Sequence, residues 1–288
     1  MTAPAQAPAV APVKTPPTKR PSALRTLAGQ LSRLWLAVLL VAVWEITCRA
    51  IGDAYFPPPS EIVRAMYELW FSGPADRLFL TTDAIDDFRP SLTHVFGGWL
   101  IAAVVGVALG LVIGRFRALG DFLDPVLQFG RSIPPPTLIP FFIVVLDLGA
   151  QMQVTTIVFG VVWPVLLNTI DGVRTVDTLQ LETAKVFGIT GLSRLRRIVL
   201  PAAAPKIFAG LRVSLGFALI LMVISELIGS TSGIGARLIS AQRSFDMAEM
   251  WAGIMLLGIL GCLINGAFVL VERRLLAWHG GARRLDDT

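Results

Sequence analysis

The chain has 288 residues, of which 54% are hydrophobic and only 16% charged, with a mean hydropathy of +0.69. Soluble domains carry about 25% charged residues, so a water-facing globular surface is excluded; the formal charge of +5 sits mainly beside apolar runs, which argues against a nucleic-acid partner. The apolar runs do not alternate in polarity as barrel strands would, and several approach the about 20 residues a helix needs to cross a bilayer. The fold class they define is an all-α polytopic membrane protein.

Residues 1–30, rich in Ala, Pro and Thr, read as a disordered tail. They do not make a signal peptide, because the basic residues lie far from the start and no small-residue cleavage site follows the first apolar run. A transmembrane domain is expected over 31–278, with spans at about 31–51, 91–114, 132–149, 150–170, 207–228 and 251–271, and a short tail over 279–288. Cys48 and Cys262 lie in separate apolar runs and read as small buried residues.

After the first span, Phe56-Pro57-Pro58-Pro59-Ser60-Glu61 leads into a short helix, Glu61 to Phe71. Ser60 is its expected cap; Ile62, Met66, Leu69 and Trp70 share a face suited to the membrane interface. In the second span Gly106, Gly110 and Gly114 recur every fourth residue, a small-residue strip that lets another helix approach closely. The third span opens on Pro134, Pro135 and Pro136. Prolines at membrane depth are tolerated where freed backbone groups line a cavity, which makes Pro135 a candidate for the wall of a translocation path. Trp163-Pro164 predicts a kink in the fourth span.

Orientation follows from the Lys/Arg bias of the connections. With six spans and both ends inside, 19 of the 25 basic residues fall on the inner side and 6 on the outer. Omitting the proline-rich third span would put the basic segment 177–201 outside and destroy the bias.

That segment, Asp177 to Pro201, is the one long charge-bearing stretch in the second half. Asp177 can cap a first short helix, with Gln180 placed to complete a capping box, and Gly188 suits the left-handed residue that ends it. A second short helix begins near Thr190 or Ser193, with Leu192, Leu195 and Val199 on one face, and Pro201 is expected to stop it. An amphipathic loop lying on the membrane would share these features.

The spacing Glu182-Thr183-Ala184, three residues, Gly188, nine residues, Ile198-Val199-Leu200-Pro201 resembles the E-A-A-x3-G-x9-I-x-L-P signature of ABC importer permeases, departing at Thr183. The stretch from Phe56 to Glu61, Trp163-Pro164 with Asn168-Thr169, and Glu226 to Gly229 followed by Gly233-Ile234-Gly235 are similar to segments of the nitrate/sulfonate/taurine group. The resemblance covers about residues 31–278 and implies a type I ABC importer permease fold of six transmembrane helices. It implies two copies of the permease embedded in a lipid bilayer, two cytoplasmic ABC ATPase subunits and an extracytoplasmic substrate-binding protein. Glu182, Thr183, Ala184, Gly188, Ile198, Leu200 and Pro201 would form the coupling helices that dock on the ATPase. ATP and Mg would be held by that partner, and this chain would carry no cofactor or metal and no catalytic residue.

The chain contains no phosphate-binding G-x-x-x-x-G-K-[ST] sequence. Charges inside spans are expensive and point to function by default. Glu226, beside Ser225 near the end of the fifth span, and Arg212 near its start are therefore candidates for the path, with Asn168 and Gln153 weaker ones. A plain inter-helix bond, or pairing with Arg237 or Arg243, would equally account for Glu226. The rival to an importer is a stand-alone secondary transporter or channel using Glu226 for ion coupling.

Overall fold

The computed structural model describes residues 23–277, and no strand occurs among them. Helix α1, Ala23–Ile51, is a compact unit of its own, separate from the unit that begins at Asp53. It starts inside the stretch expected as tail, since the last proline of that tail is Pro21 and nothing after it interrupts a helix. The remainder of both expected tails, residues 1–22 and 278–288, lies outside the described residues.

The second unit contains α2 (Pro59–Met66), α3 (Thr82–Arg115), α4 (Arg117–Ser132), α5 (Ile139–Leu146), α6 (Ala150–Arg174), α7 (Thr178–Val186), α8 (Gly191–Arg194), α9 (Leu200–Gly229), α10 (Ile234–Ser244) and α11 (Met247–Leu275). The cap of α2 is Pro58, not Ser60, and Pro59 takes the first turn, where its fixed φ favours a helix start. Ile62 and Trp70 are fully buried, and α2 packs on α11. α3 begins at Thr82, well before the expected boundary at Ser91, because the Thr81 hydroxyl caps it by accepting from Ala84 N–H at 3.1 Å and the helix runs through Pro90.

α6 is the central helix, packed along its length against α3 and α9. The glycine strip of α3 makes the first contact. A Cβ added at Gly98, Gly106, Gly110 or Gly114 would stand 2.7, 2.9, 2.5 or 2.8 Å from Ile157, Val165, Thr169 or Val173. Partner numbers rise together at a constant offset, so α3 and α6 run parallel. Across the other face Gly172 meets Ala203, Gly210 meets Asn168 and Gly160 meets Leu221, so α6 and α9 run antiparallel. Gly110→Val is expected to destabilise the chain by about 1–3 kcal/mol through overpacking, read as a lowered unfolding midpoint in detergent. An unchanged midpoint would mean that α3 and α6 separate freely.

Parallel α3 and α6 require the chain to travel back between Arg115 and Ala150. It does so through α4, a 3₁₀ turn Pro135–Leu138 and α5, bent by 82°. The span expected over 132–149 is not one continuous helix: the bent pair starts earlier, at Arg117, and breaks between Ser132 and Pro135. Pro134, Pro135 and Pro136 supply no N–H for a continuous ladder, and the 8 residues of α5 reach only about 12 Å of an about 30 Å core. Among the described residues, 4 helical runs are long and apolar enough to cross a membrane, or 5 if the bent pair is one broken span.

Two further expectations differ from the structure. Pro201 does not stop the second short helix: α8 continues through a π-helical turn, Leu195–Val199, into α9. The proline falls in the first turn of α9, where its missing donor is not needed, and the π turn absorbs the change of register. Cys262 is exposed on α11 rather than buried, while Cys48 is half-buried.

Candidate coupling site and buried carboxylate

The antiparallel pair α6 and α9 is joined at one end of the bundle by the segment that begins at Thr175. Asp177 caps α7, its Oδ1 accepting from Leu179 N–H at 2.9 Å. At the far end Gly188 adopts φ +70, Ile189 N–H donates to the Ala184 carbonyl at 2.8 Å, and Gly188 N–H donates to the Lys185 carbonyl at 3.0 Å. This paired closure places Ala184 three residues inside the helix end and requires a left-handed residue at 188. The interval between Ala184 and Gly188 is therefore a helix-terminating geometry.

Ala184 is buried, whereas Glu182 and Thr183 face outward. Glu182 accepts from Lys185 Nζ at 2.7 Å across one turn, and both side chains are exposed, so the pair adds little stability. The Thr183 hydroxyl donates to the Leu179 carbonyl at 2.8 Å and is absorbed within the helix. Leu179, Val186, Phe187 and Leu192 lie exposed around the joint, Val186 and Phe187 by 84% and 76%. That much apolar surface on a polar connection suits docking better than solvent. Ile198 and Pro201 are half-buried, and Leu200 is at the exposed border.

At the opposite end, Glu226 of α9 is fully buried. The Ser91 hydroxyl of α3 lies 2.9 Å from each carboxylate oxygen, and Gly235 N–H donates to Oε2 at 2.9 Å. Ser91 in turn accepts from Ile234 N–H at 2.9 Å, so the first turn of α10 is tied to α3 and α9 at once. A Cβ at Gly233 would stand 2.6 Å from Glu226 Oε2, and one at Gly235 would stand 2.7 Å from Glu226 Cβ. Both glycines are needed for this close approach. His94 Nδ1 lies 3.5 Å from Oε1 and has no hydrogen-bond partner.

Neither Arg237 nor Arg243 pairs with Glu226. Arg237 instead binds Asp87, Asp83 at 3.1 Å and Glu249 at 3.1 Å, joining α10 to α3 and α11. Burial opposes its charge, but the coulombic pull of Asp87 and hydrogen bonds to Glu249 and Asp87 outweigh it and hold the guanidinium above its ordinary range. Trp70 Nε1 donates to Asp87 at 2.9 Å, adding the segment after α2 to the same clasp. Asp83, Asp87 and Ser91 recur every fourth residue on α3, a polar stripe that the sequence carries but whose partners lie far along the chain.

The remaining candidates do not converge. Ser225 is buried and bonds back to the Met222 carbonyl at 2.8 Å. Asn168 bonds back to the Pro164 carbonyl at 2.8 Å, at the crossing of α6 and Gly210. Arg212 reaches Asn265 of α11 at 3.3 Å on an exposed face. Gln153 is buried with Oε1 unpartnered, and Pro135 packs against Gly160 of α6.

The described residues form a helical bundle with exposed apolar flanks, closed at one end by a helix with a Schellman turn, as an integral membrane protein requires. The chain belongs to the family described as "Binding-protein-dependent transport system inner membrane component", which matches residues 102–277. It is 30% identical over 253 residues, 87% of this chain and 88% of the other, to the putative aliphatic sulfonates transport permease protein SsuC of Bacillus subtilis. It is 31% identical over 237 residues, 82% and 86% of the two chains, to the nitrate import permease protein NrtB of Synechocystis. The fold is similar to that of a chain in inward-facing structures of the MetNI methionine ABC transporter, with a TM-score of 0.59, 20% identity, and coverage of 66% of this chain and 94% of that one. The protein is thus a multi-pass inner-membrane permease subunit of an ABC importer; ATP hydrolysis belongs to a separate ATPase, and a solute-binding protein is implied as a further partner.

Proposed function

We propose that the chain forms the path for a small anionic solute of the sulfonate, taurine or nitrate kind, as a homodimer on two ATPase subunits. Similarity to an aliphatic sulfonates permease and to a nitrate permease supports the solute class. Six crossings are supported by the parallel run of α3 and α6, which agrees with α4 and α5 serving as one broken span, together with the 29 residues of α1. The basic residues of the α7–α8 joint support a cytoplasmic position for that end and for both termini.

The observation that carries the coupling role is the Schellman closure of α7 beside exposed Val186 and Phe187. Ala184 packs inward while Glu182 and the apolar rim meet the ATPase; Gly188 sets the turn; Ile198, Leu200 and Pro201 carry the motion into α9 through an unbroken helix. The stand-alone transporter reading is disfavoured because Glu226 spends its acceptors on Ser91 and Gly235, inside the chain. Stripes such as Phe122, Val126 and Phe129, all exposed on α4, are available to the second copy.

Reconstitution tests the reading. Vesicles containing the permease, its ATPase and its binding protein are expected to accumulate the anion only with ATP inside the ATPase-facing compartment. Uptake by the permease alone under a proton or sodium gradient would overturn it.

A further inference from the structure

The α7–α8 joint encloses a cavity of about 380 Å³ whose lining is unbalanced in charge. Arg115, Arg117, Arg174, Lys185 and Arg194 line it against a single carboxylate, Glu182. Asp121, 3.8 Å from Arg174, adds a second from outside the lining. The C-termini of α3 and α6 end here, each contributing about half a negative charge. Five cations, two carboxylates and two helix ends leave about two positive charges unanswered.

A basic border at a membrane is ordinary, but two details set this cavity apart. Arg174 lies against the backbone of Gly120, where a Cβ would stand 1.9 Å from its guanidinium. Arg194 has a buried Nε with no hydrogen-bond partner. A guanidinium donor withdrawn from water without an acceptor is unfavourable, and an anionic oxygen in the cavity would satisfy it. The orientation rule explains basic residues spread over a wet surface; it does not explain a guanidinium nitrogen of half-buried Arg194 shielded from water and left unpaired.

We propose that this cavity binds a phosphate group, which carries about −1.5 to −2 charges near neutral pH when free or a monoester and about −1 as the diester of a phospholipid headgroup. Guanidinium forks match phosphate oxygens in geometry as well as charge, and basic pockets between helices take phospholipid headgroups as readily as free phosphates. The cavity is walled by the ends of α3 and α6 on one side and by α7 and Arg194 on the other. An occupant therefore ties the joint to the membrane helices and stiffens it. This site is independent of the solute transported.

The test uses the purified full-length chain. In detergent, inorganic phosphate is titrated against chloride at equal ionic strength; in parallel, phosphatidylcholine nanodiscs are compared with and without phosphatidylglycerol. The readout is the thermal unfolding midpoint, which rises with concentration for any ligand favouring the folded state. A saturable rise with phosphate assigns the site to free phosphates, and a rise only with phosphatidylglycerol assigns it to lipid. The double variant Arg117→Gln/Arg194→Gln is expected to weaken the effect at least about tenfold, while Arg243→Gln at the opposite end leaves it intact. No saturable rise for the unmodified chain in either arm, or an undiminished rise in the double variant, overturns the proposal.

Discussion

Glu226→Ala is expected to lower the stability of the purified chain by about 3 kcal/mol, measured as the midpoint and slope of unfolding in detergent. The loss has two parts. Ser91 and Gly235 N–H would each be left as a buried donor without an acceptor, at about 1–3 kcal/mol apiece. Against this stands the relief of no longer burying a carboxyl group, which offsets some of the loss. Glu226 also holds the first turn of α10 to α9 through Gly235 N–H, so α10 is expected to loosen locally. Glu226→Gln should lose only about 1 kcal/mol, because an amide oxygen still accepts. Equal losses in the two variants would assign the stabilisation to the charge and not to the hydrogen bonds.

Gly188→Val is expected to reduce ATP-driven uptake by up to about tenfold, the equivalent of 1.4 kcal/mol. Position 188 has φ +70, and an added Cβ would meet nothing within 4 Å. The penalty is therefore one of backbone conformation, about 1–2 kcal/mol for a residue with a Cβ, and not of crowding. It falls on the closure that buries Ala184 and sets the direction of the chain into α8. Gly188→Asn should retain most of the uptake, since asparagine tolerates the left-handed region. The measurement is uptake together with ATPase stimulation in vesicles holding the complete transporter. Full uptake by Gly188→Val would remove the joint from the coupling path.

Both variants act at sites of different legibility. The joint could be read from the chain because its geometry is local: Asp177, Ala184 and Gly188 lie within a dozen residues, and a cap and a Schellman closure need only their own neighbours. The glycine strip on α3 was legible for the same reason, since every fourth residue must share a face. Its partner was not, because nothing in the chain before folding says that Gly110 meets Thr169. Glu226 stood out as a costly charge in an apolar run, yet its bonds go to Ser91 and to the backbone of Gly235 rather than to the arginines nearby in sequence. The clasp of Arg237 with Asp87, Asp83 and Glu249 draws on three helices and left only a faint trace, the spacing of polar residues on α3.

The sequence by itself determined the all-helical class, the uneven spread of basic residues along the chain, and the two ends of α7, because hydropathy, charge bias and helix termination are set over tens of residues or fewer. It did not determine the course of the proline-rich stretch after α4, since prolines forbid a straight helix without saying where the chain goes next. The parallel packing of α3 on α6 settles that it returns. It also did not determine that Pro201 would be carried inside a continuous run over 191–229. A proline blocks a helix interior but fits a helix start, and which of the two it meets depends on whether a π turn precedes it. Here the π turn Leu195–Val199 comes first, so Pro201 meets a helix start.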